Sequence, residues 1–361
     1  MAHGTAKRPI PGFSGGTVGT GAFMLGTGPT TTSPTINTSI LGTALLIPPQ
    51  GRLTLTSNVP VLTSDVAETG TIYYTPYVGD RIPIHSGSGV WTIRTFTQLQ
   101  LDLDAADHLA NKNFDIFVWM DSSTMRLGTT AAWSSDTARS VAISMQNGLY
   151  VNTGITTLYS GGTDYASVAA GTATYVGTIR TTTTNAKTIM QFLPAAATGQ
   201  ATSLAKLFVW NAYNTKTVTA AVIDSADNWT QSGTSVWEAW NKAGANAGVQ
   251  NSVSFVVGLD GQFIAADVHG WAYNGSANRR EVVGIGYDSL TALSAGCING
   301  IWYGAQYYTS LSANLRRPTT MGYHYVQALN WCDASGGNIY YGDDGMANVP
   351  HSCGLVASLE M

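Results

Sequence analysis

Three short runs in the last third of the chain pair large aromatic side chains. They are Trp271-Ala272-Tyr273, Trp302-Tyr303 and Tyr307-Tyr308. In an extended chain successive side chains point to opposite faces, so Trp271 and Tyr273 share a face and each adjacent pair puts a ring on both. One face enters a core, and the other meets solvent, another subunit or a ligand. Tyrosine and tryptophan combine a flat apolar body with a polar tip. That combination suits a sugar ring stacked on its apolar side, and it suits a protein interface. Trp271, Tyr273, Trp302, Tyr303, Tyr307 and Tyr308 are therefore the candidate glycan-binding or interface residues.

Residue types that catalyse reactions are present but do not group. Cleaving a glycosidic bond takes two carboxyl groups facing one another. Asp102 and Asp104 lie two apart, opposite Leu101 and Leu103, as the solvated face of an amphipathic strand would. Asp343-Asp344 sits in a turn, where aspartate bonds its own backbone, and Asp260 and Asp267 flank an expected hairpin. Ser86-Gly87-Ser88-Gly89 has the letters of a serine loop without the helix that a nucleophile elbow needs. His3, His85, His108, His269, His324 and His351 are scattered, with no metal-binding spacing. Cys297, Cys332 and Cys353 are odd in number, and Cys332 with Cys353 fits either a disulfide or two thiols. No residue is assigned to catalysis, to a cofactor or to a metal.

The elements that must position the aromatic residues are strands. Arg52-Leu53-Thr54-Leu55-Thr56 alternates leucine with threonine, the period of a strand with one buried face. Trp91–Arg94, Leu99–Leu103, Phe114–Met120, Gly148–Asn152, Tyr175–Thr181 and Thr188–Phe192 continue the pattern, with Gly, Asn, Asp and Ser between them. After the breaker-flanked run Pro194–Gly199 come Leu207–Trp210, Thr217–Asp224 and Ser252–Val257. An Asp260-Gly261 turn then leads to Phe263–Val268 as the expected hairpin partner of Ser252–Val257. Short helical turns are admitted at 105–112 and 235–243. The expected fold is all-β, with antiparallel, jelly-roll-like β-sandwich domains at 51–198 and 199–361. Residues 1–50, rich in Gly, Thr and Pro, read as an extended N-terminal arm that anchors the rest.

Composition narrows the function classes. Charged residues are 11% of the 361, while 10% are aromatic. Disordered chains show the reverse balance, so this is an ordered chain with a hydroxyl-covered surface. A net charge of -4 without a basic stripe argues against nucleic acid as a partner. No apolar run approaches the ~20 residues of a membrane span, and no secretory leader is readable at the start.

Several patches resemble the virion appendage proteins of tailed bacteriophages, the fibre, spike or decoration type. They are Gly51–Ser57, Pro60-Val61, Thr63–Val66, Thr71–Gly79, Ile82–Ile84, Tyr175–Arg180 and Phe208–Asn214. The resemblance spans roughly Gly51 to Asn214 and consists of strand and turn sequences. It implies a non-enzymatic structural component located in the virion, oligomeric, with the homotrimer usual for fibres. The 1–50 arm would join other virion proteins, and the distal part would attach to host-surface glycan. Two alternatives stay open, a decoration protein that stabilises the capsid and a tailspike-like polysaccharide depolymerase.

Overall fold

The strand Phe263–Asn274 shows why this chain folds as layers. Ile264, Ala266, Val268 and Ala272 alternate with Ala265, Asp267, His269, Trp271 and Tyr273, and burial alternates with them. Its neighbours repeat the pattern in register. Leu311, Ala313 and Leu315 of Tyr308–Pro318 lie on its buried side, as do Leu355, Ala357 and Leu359 of Gly354–Glu360. Each large aliphatic side chain so buried stabilises the fold by roughly 1.5–3 kcal/mol.

The computed structural model describes residues 46–193, 204–224, 228–231, 235–241, 251–275, 279–304, 308–333, 338–342 and 353–361. The described residues form strands and turns, with no helix among them. A seven-stranded sheet runs Thr217–Ile223, Gly354–Glu360, Phe263–Asn274, Tyr308–Pro318 and Ile298–Asn299. Asn338–Tyr341 joins it on Phe263–Asn274, and Asn228–Thr230 pairs with Asn338–Tyr341 in turn. An eight-stranded sheet faces it, in the order Val66–Thr69, Thr188–Gln191, Leu204–Leu207, Ser252–Val257, Gly322–Cys332, Arg279–Tyr287 and Ile301–Gly304, with Glu238–Ala239 beside Gly322–Cys332. A second eight-stranded sheet is built around Asn113–Asp121 and Thr174–Arg180. A three-stranded sheet (Gly51–Thr54, Thr71–Pro76, Leu99–Asp102) and the hairpin Arg81–His85/Trp91–Thr95 complete the unit. Among the described residues pairing is antiparallel except between Leu204–Leu207 and Ser252–Val257. The all-β, sandwich-like fold expected from the pattern is the fold observed.

The details depart from expectation in four places. First, the Asp260-Gly261 turn is present, with Gly261 at φ +92°, but it does not close a hairpin. Ser252–Val257 is buried along its whole length and pairs with Gly322–Cys332, whereas Phe263–Asn274 lies in the facing sheet. A strand buried on both faces and one buried on a single face belong to different layers, so the turn carries the chain across the sandwich. Second, residues 105–112 are turns, and Glu238–Ala239 is a strand, so the helical turns do not form. Third, the threonine side of Gly51–Thr54 is not solvated. Thr54 is buried, and Arg52 is only 5% exposed, its guanidinium donating to the carbonyls of Pro60, Asn214 and Met361. Fourth, the folded unit begins at Leu46, ahead of the expected boundary at 51. Pro49 accepts from the Asn214 amide at 2.7 Å, and Gln50 bonds Arg81 through both its backbone N–H and its side chain. The rest of the expected arm, residues 1–45, lies outside the described residues, as does Pro194–Gly199. Strands on both sides of that run, Thr188–Gln191 and Leu204–Leu207, are paired neighbours in one sheet.

One buried ion pair ties the second eight-stranded sheet to the sandwich. Arg139 Nε lies 2.6 Å from Asp115 Oδ2, and both side chains are nearly sealed from water. The Thr178 hydroxyl donates to Asp115 Oδ1 at 2.7 Å. The same guanidinium reaches the Gly258 carbonyl, the Met321 sulfur at 2.9 Å and the Tyr175 hydroxyl at 3.3 Å, and stacks over Trp133 at 4.6 Å. Gly258 is required here, since a Cβ would sit 2.1 Å from the Tyr175 hydroxyl. Removing one partner of such a pair leaves a buried charge uncompensated, which typically costs about 3–5 kcal/mol. Arg139→Met is therefore expected to lower the unfolding free energy by about that amount in a urea titration. Adding Asp115→Asn to Arg139→Met is expected to recover part of the loss, and a double variant no better than the single one would contradict this account.

Candidate ligand-binding face

The outward face of the seven-stranded sheet gathers aromatic rings at one end. Tyr273 and Tyr308 are directly opposed in register, with ring centroids 4.8 Å apart. Trp271 stands 6.3 Å from Tyr308, and Tyr341, opposite Trp271 on the next strand, stands 5.8 Å from Tyr308. Tyr308 is 45% exposed, Trp271 and Tyr273 are half-buried, and Tyr341 is buried beneath them. The rings point outward because the alternate positions are apolar and small. Ala272 and Gly270 face inward, and a Cβ on Gly270 would meet Trp240 at 2.3 Å. Burial pushes the Tyr341 phenol up, and its neighbour Tyr308 adds to the shift, so it stays neutral at any physiological pH.

Next to the rings the same face is polar, and beyond that strip Phe263, Val356 and Ile223 are exposed. His269 and Ser310 are in hydrogen-bond contact at 3.4 Å. Arg316 Nη2 donates to both carboxylate oxygens of Asp267, at 2.8 and 3.1 Å. Thr219 and Ser358 share a hydrogen bond of 2.8 Å, and Thr217 donates to Glu360. The exposed Asp267–Arg316 pair contributes little stability and lies four residues along the strand from Trp271, beyond His269.

The six aromatic residues marked in the sequence do not form one site. Trp271, Tyr273 and Tyr308 come together. Trp302 and Tyr303 lie on Ile301–Gly304, an edge strand of the facing sheet, Trp302 half-buried and Tyr303 60% exposed. Tyr307 lies outside the described residues. Tyr341 joins the cluster without having been singled out, since only its register opposite Trp271 brings it there.

The other sequence candidates take structural places. Asp102 accepts from Thr71 at 2.8 Å on an exposed strand face, and Asp104 accepts from Ala106 in a turn. His85, His108 and His324 are buried and bonded, His324 to Asp288 at 2.7 Å and His108 to Thr129 at 2.8 Å. Asp343, Asp344 and His351 lie outside the described residues. Cys297, Cys332 and Cys353 are not joined by a disulfide, and burial pushes Cys353 up to about 11. Among the described residues no group of three or more His, Cys, Asp or Glu side chains is placed to hold a metal. No helix of the described residues is long and apolar enough to cross a membrane. The chain matches no protein-family model and no curated protein.

One titratable group escaped the sequence reading. Glu281, on Arg279–Tyr287 between Trp302 and Cys332, is fully buried, and neither carboxyl oxygen has a hydrogen-bond partner among the described residues. Burial, helped by the nearby Asp333 charge, pushes it up to about 8. The folded state thus keeps a proton that the unfolded chain has released, so stability falls as pH rises from the usual carboxylate range to about 8. Glu281→Gln is expected to flatten that slope and to unfold at a higher temperature than the parent at pH 9. Parallel melting curves for the two proteins from pH 5 to 9 would contradict the assignment.

Proposed function

We propose that this chain is a non-enzymatic surface component of a bacteriophage virion, and that the outer face carrying Trp271, Tyr273 and Tyr308 takes host-surface glycan. The single observation behind the binding role is the ring cluster itself. Three large aromatic side chains stand on one outward sheet face, with the His269–Ser310 pair next to them and the Asp267–Arg316 pair further along the strand. Ring faces accept the apolar side of a sugar, and fixed polar groups accept its hydroxyls. The virion role rests on the resemblance of Gly51–Asn214 to phage appendage proteins, with residues 1–50 as the link to other virion proteins and a homotrimer as the assembly. The non-enzymatic role is supported by the fate of the carboxyl groups near the rings. Asp267 is held by Arg316, and Glu281 is sealed in the interior.

Purified full-length protein is expected to bind host-surface polysaccharide without releasing new reducing ends. Trp271→Ala and Tyr308→Ala are each expected to weaken binding about ten-fold, the usual effect of truncating an aromatic anchor, with melting temperatures close to the parent. Reducing ends appearing with time would replace this function with a depolymerase. Unaltered binding in both variants would remove the ring face from it. Absence of the chain from purified particles by mass spectrometry would end the virion assignment.

A further inference from the structure

The outward side of Tyr308–Pro318 continues the ring face as a row of small polar side chains. Tyr308, Ser310, Ser312, Asn314 and Arg316 take alternate positions on that side, while Leu311, Ala313 and Leu315 face the core. Ser310 and Ser312 are exposed, and Asn314 is half-buried. Trp271, His269 and Asp267 border the row on the next strand, in register with Ser310, Ser312 and Asn314. Ile298, opposite Asn314 and 68% exposed, borders it on the other side. Arg316 reaches back to Asp267 and closes the far end. At ~3.4 Å per residue the row runs roughly 20 Å from Tyr308 to Asn314, the length of several sugar units.

Two features decide what such a row can take. Its backbone is occupied. Tyr308–Pro318 pairs with Phe263–Asn274 along its length, and Ile298–Asn299 and the Gly300 N–H cover the other edge at Ser312–Asn314. An extended peptide laid there gains no main-chain bonds, which are what hold a peptide to a sheet edge. Its charge is also balanced. Asp267 and Arg316, the charged residues of the row and its borders, are bonded to each other. A charged polymer therefore finds no counter-charge left open beside the row. Hydroxyls and an amide, leading away from stacked rings, suit a ligand that is polar, uncharged and extended.

We infer that a linear, uncharged oligosaccharide lies along Tyr308–Pro318, with one end on the rings and further units over Ser310, Ser312 and Asn314. Serine hydroxyls and the Asn314 amide both donate and accept, as sugar hydroxyls do. The inference rests on the glycan reading of the ring face. It adds that internal units of a chain are recognised, where stacking on the rings alone would hold a terminal sugar.

Calorimetric titration of the full chain with di- and tetrasaccharides, prepared by partial hydrolysis of the host-surface polysaccharide, tests this. The tetrasaccharide is expected to bind about thirty-fold more tightly than the disaccharide, as about two further net hydrogen bonds would give. Raising the salt from roughly 50 to 500 mM, which screens exposed charges, is expected to leave both affinities unchanged. Trp271→Ala is expected to weaken both. The double variant Ser312→Ala/Asn314→Ala is expected to keep the parent's melting temperature and to lose most of the ratio between the two affinities. Equal affinities in the parent, or a ratio that survives the double variant, would overturn the extended site while leaving the rings as a sugar platform. Affinities that fall with salt would overturn the uncharged class. If neither oligosaccharide binds, the ring-face reading itself falls, and this inference falls with it.

Discussion

The buried guanidinium of Arg139 sets the spacing on which the rest of the molecule depends. Taking an arginine and an aspartate out of water costs several kcal/mol per ion unless every donor finds an acceptor. Here the donors are shared between Asp115 and Tyr175 of one sheet and Gly258 and Met321 at the ends of strands in the next. These contacts hold only at one separation. The close approach of Gly258 to Tyr175 and Trp210 leaves no room for a side chain, so the spacing is enforced sterically as well as electrostatically. Arg180 repeats the device nearby. It pairs with Asp136 at 2.7 Å, bonds Asn113 at 2.9 Å and lies 3.7 Å from the centroid of the Tyr323 ring. Both arginines fasten side chains of the second eight-stranded sheet to residues at one end of the buried sandwich layer. The sandwich then carries its outer face at a fixed place relative to the first half of the chain.

Arg52 plays a comparable part at another junction. Three carbonyls from Pro60, Asn214 and Met361 converge on its guanidinium, joining the first strand, a mid-chain turn and the final residues. Asn211 reinforces the junction by accepting from the Leu53 N–H at 2.6 Å. A chain with 11% charged residues uses several of its arginines inside, as multidentate donors, and leaves hydroxyls and amides to cover much of the outside. Arginine suits this role because its fork satisfies several acceptors at once, which a lysine ammonium on a flexible stem does less well.

Period-two patterning made much of the fold legible. Thr217–Ile223 and Phe263–Asn274 alternate in sequence as they alternate in burial, and Asn113–Asp121 is as apolar and central as its composition suggests. Partner choice was not legible. Nothing in Ser252–Val257 or in the Asp260-Gly261 turn says that the next strand joins the opposite layer, because the deciding contacts lie with Gly322–Cys332, some seventy residues on. The same limit explains the candidate site. Trp271 and Tyr273 were readable as a shared face, but Tyr341 enters through pairing with Trp271, and Trp302 and Tyr303 leave because Ile301–Gly304 pairs with Arg279–Tyr287. Glu281 was hidden for a different reason. A glutamate beside two arginines in Arg279-Arg280-Glu281 reads as surface charge, and only three-dimensional burial makes it an exception.

Under the function proposed above, the outer sheet face would suit a sugar better than a sister subunit at its aromatic end. A subunit interface of ordinary stability buries roughly 800 Å² per partner around a core depleted in charge. Along this face the apolar exposed residues Phe263, Val356 and Ile223 are separated from the rings by the Asp267–Arg316 fork and the His269–Ser310 pair. Covering the whole face with another protein would desolvate that ion pair, which the burial cost of charges opposes. A sugar chain resting on Trp271, Tyr273 and Tyr308 needs only the aromatic end and leaves the fork wet, or within reach of a hydroxyl. The polarity of the central strip thus limits the size of what can dock on the rings without desolvating the Asp267–Arg316 pair.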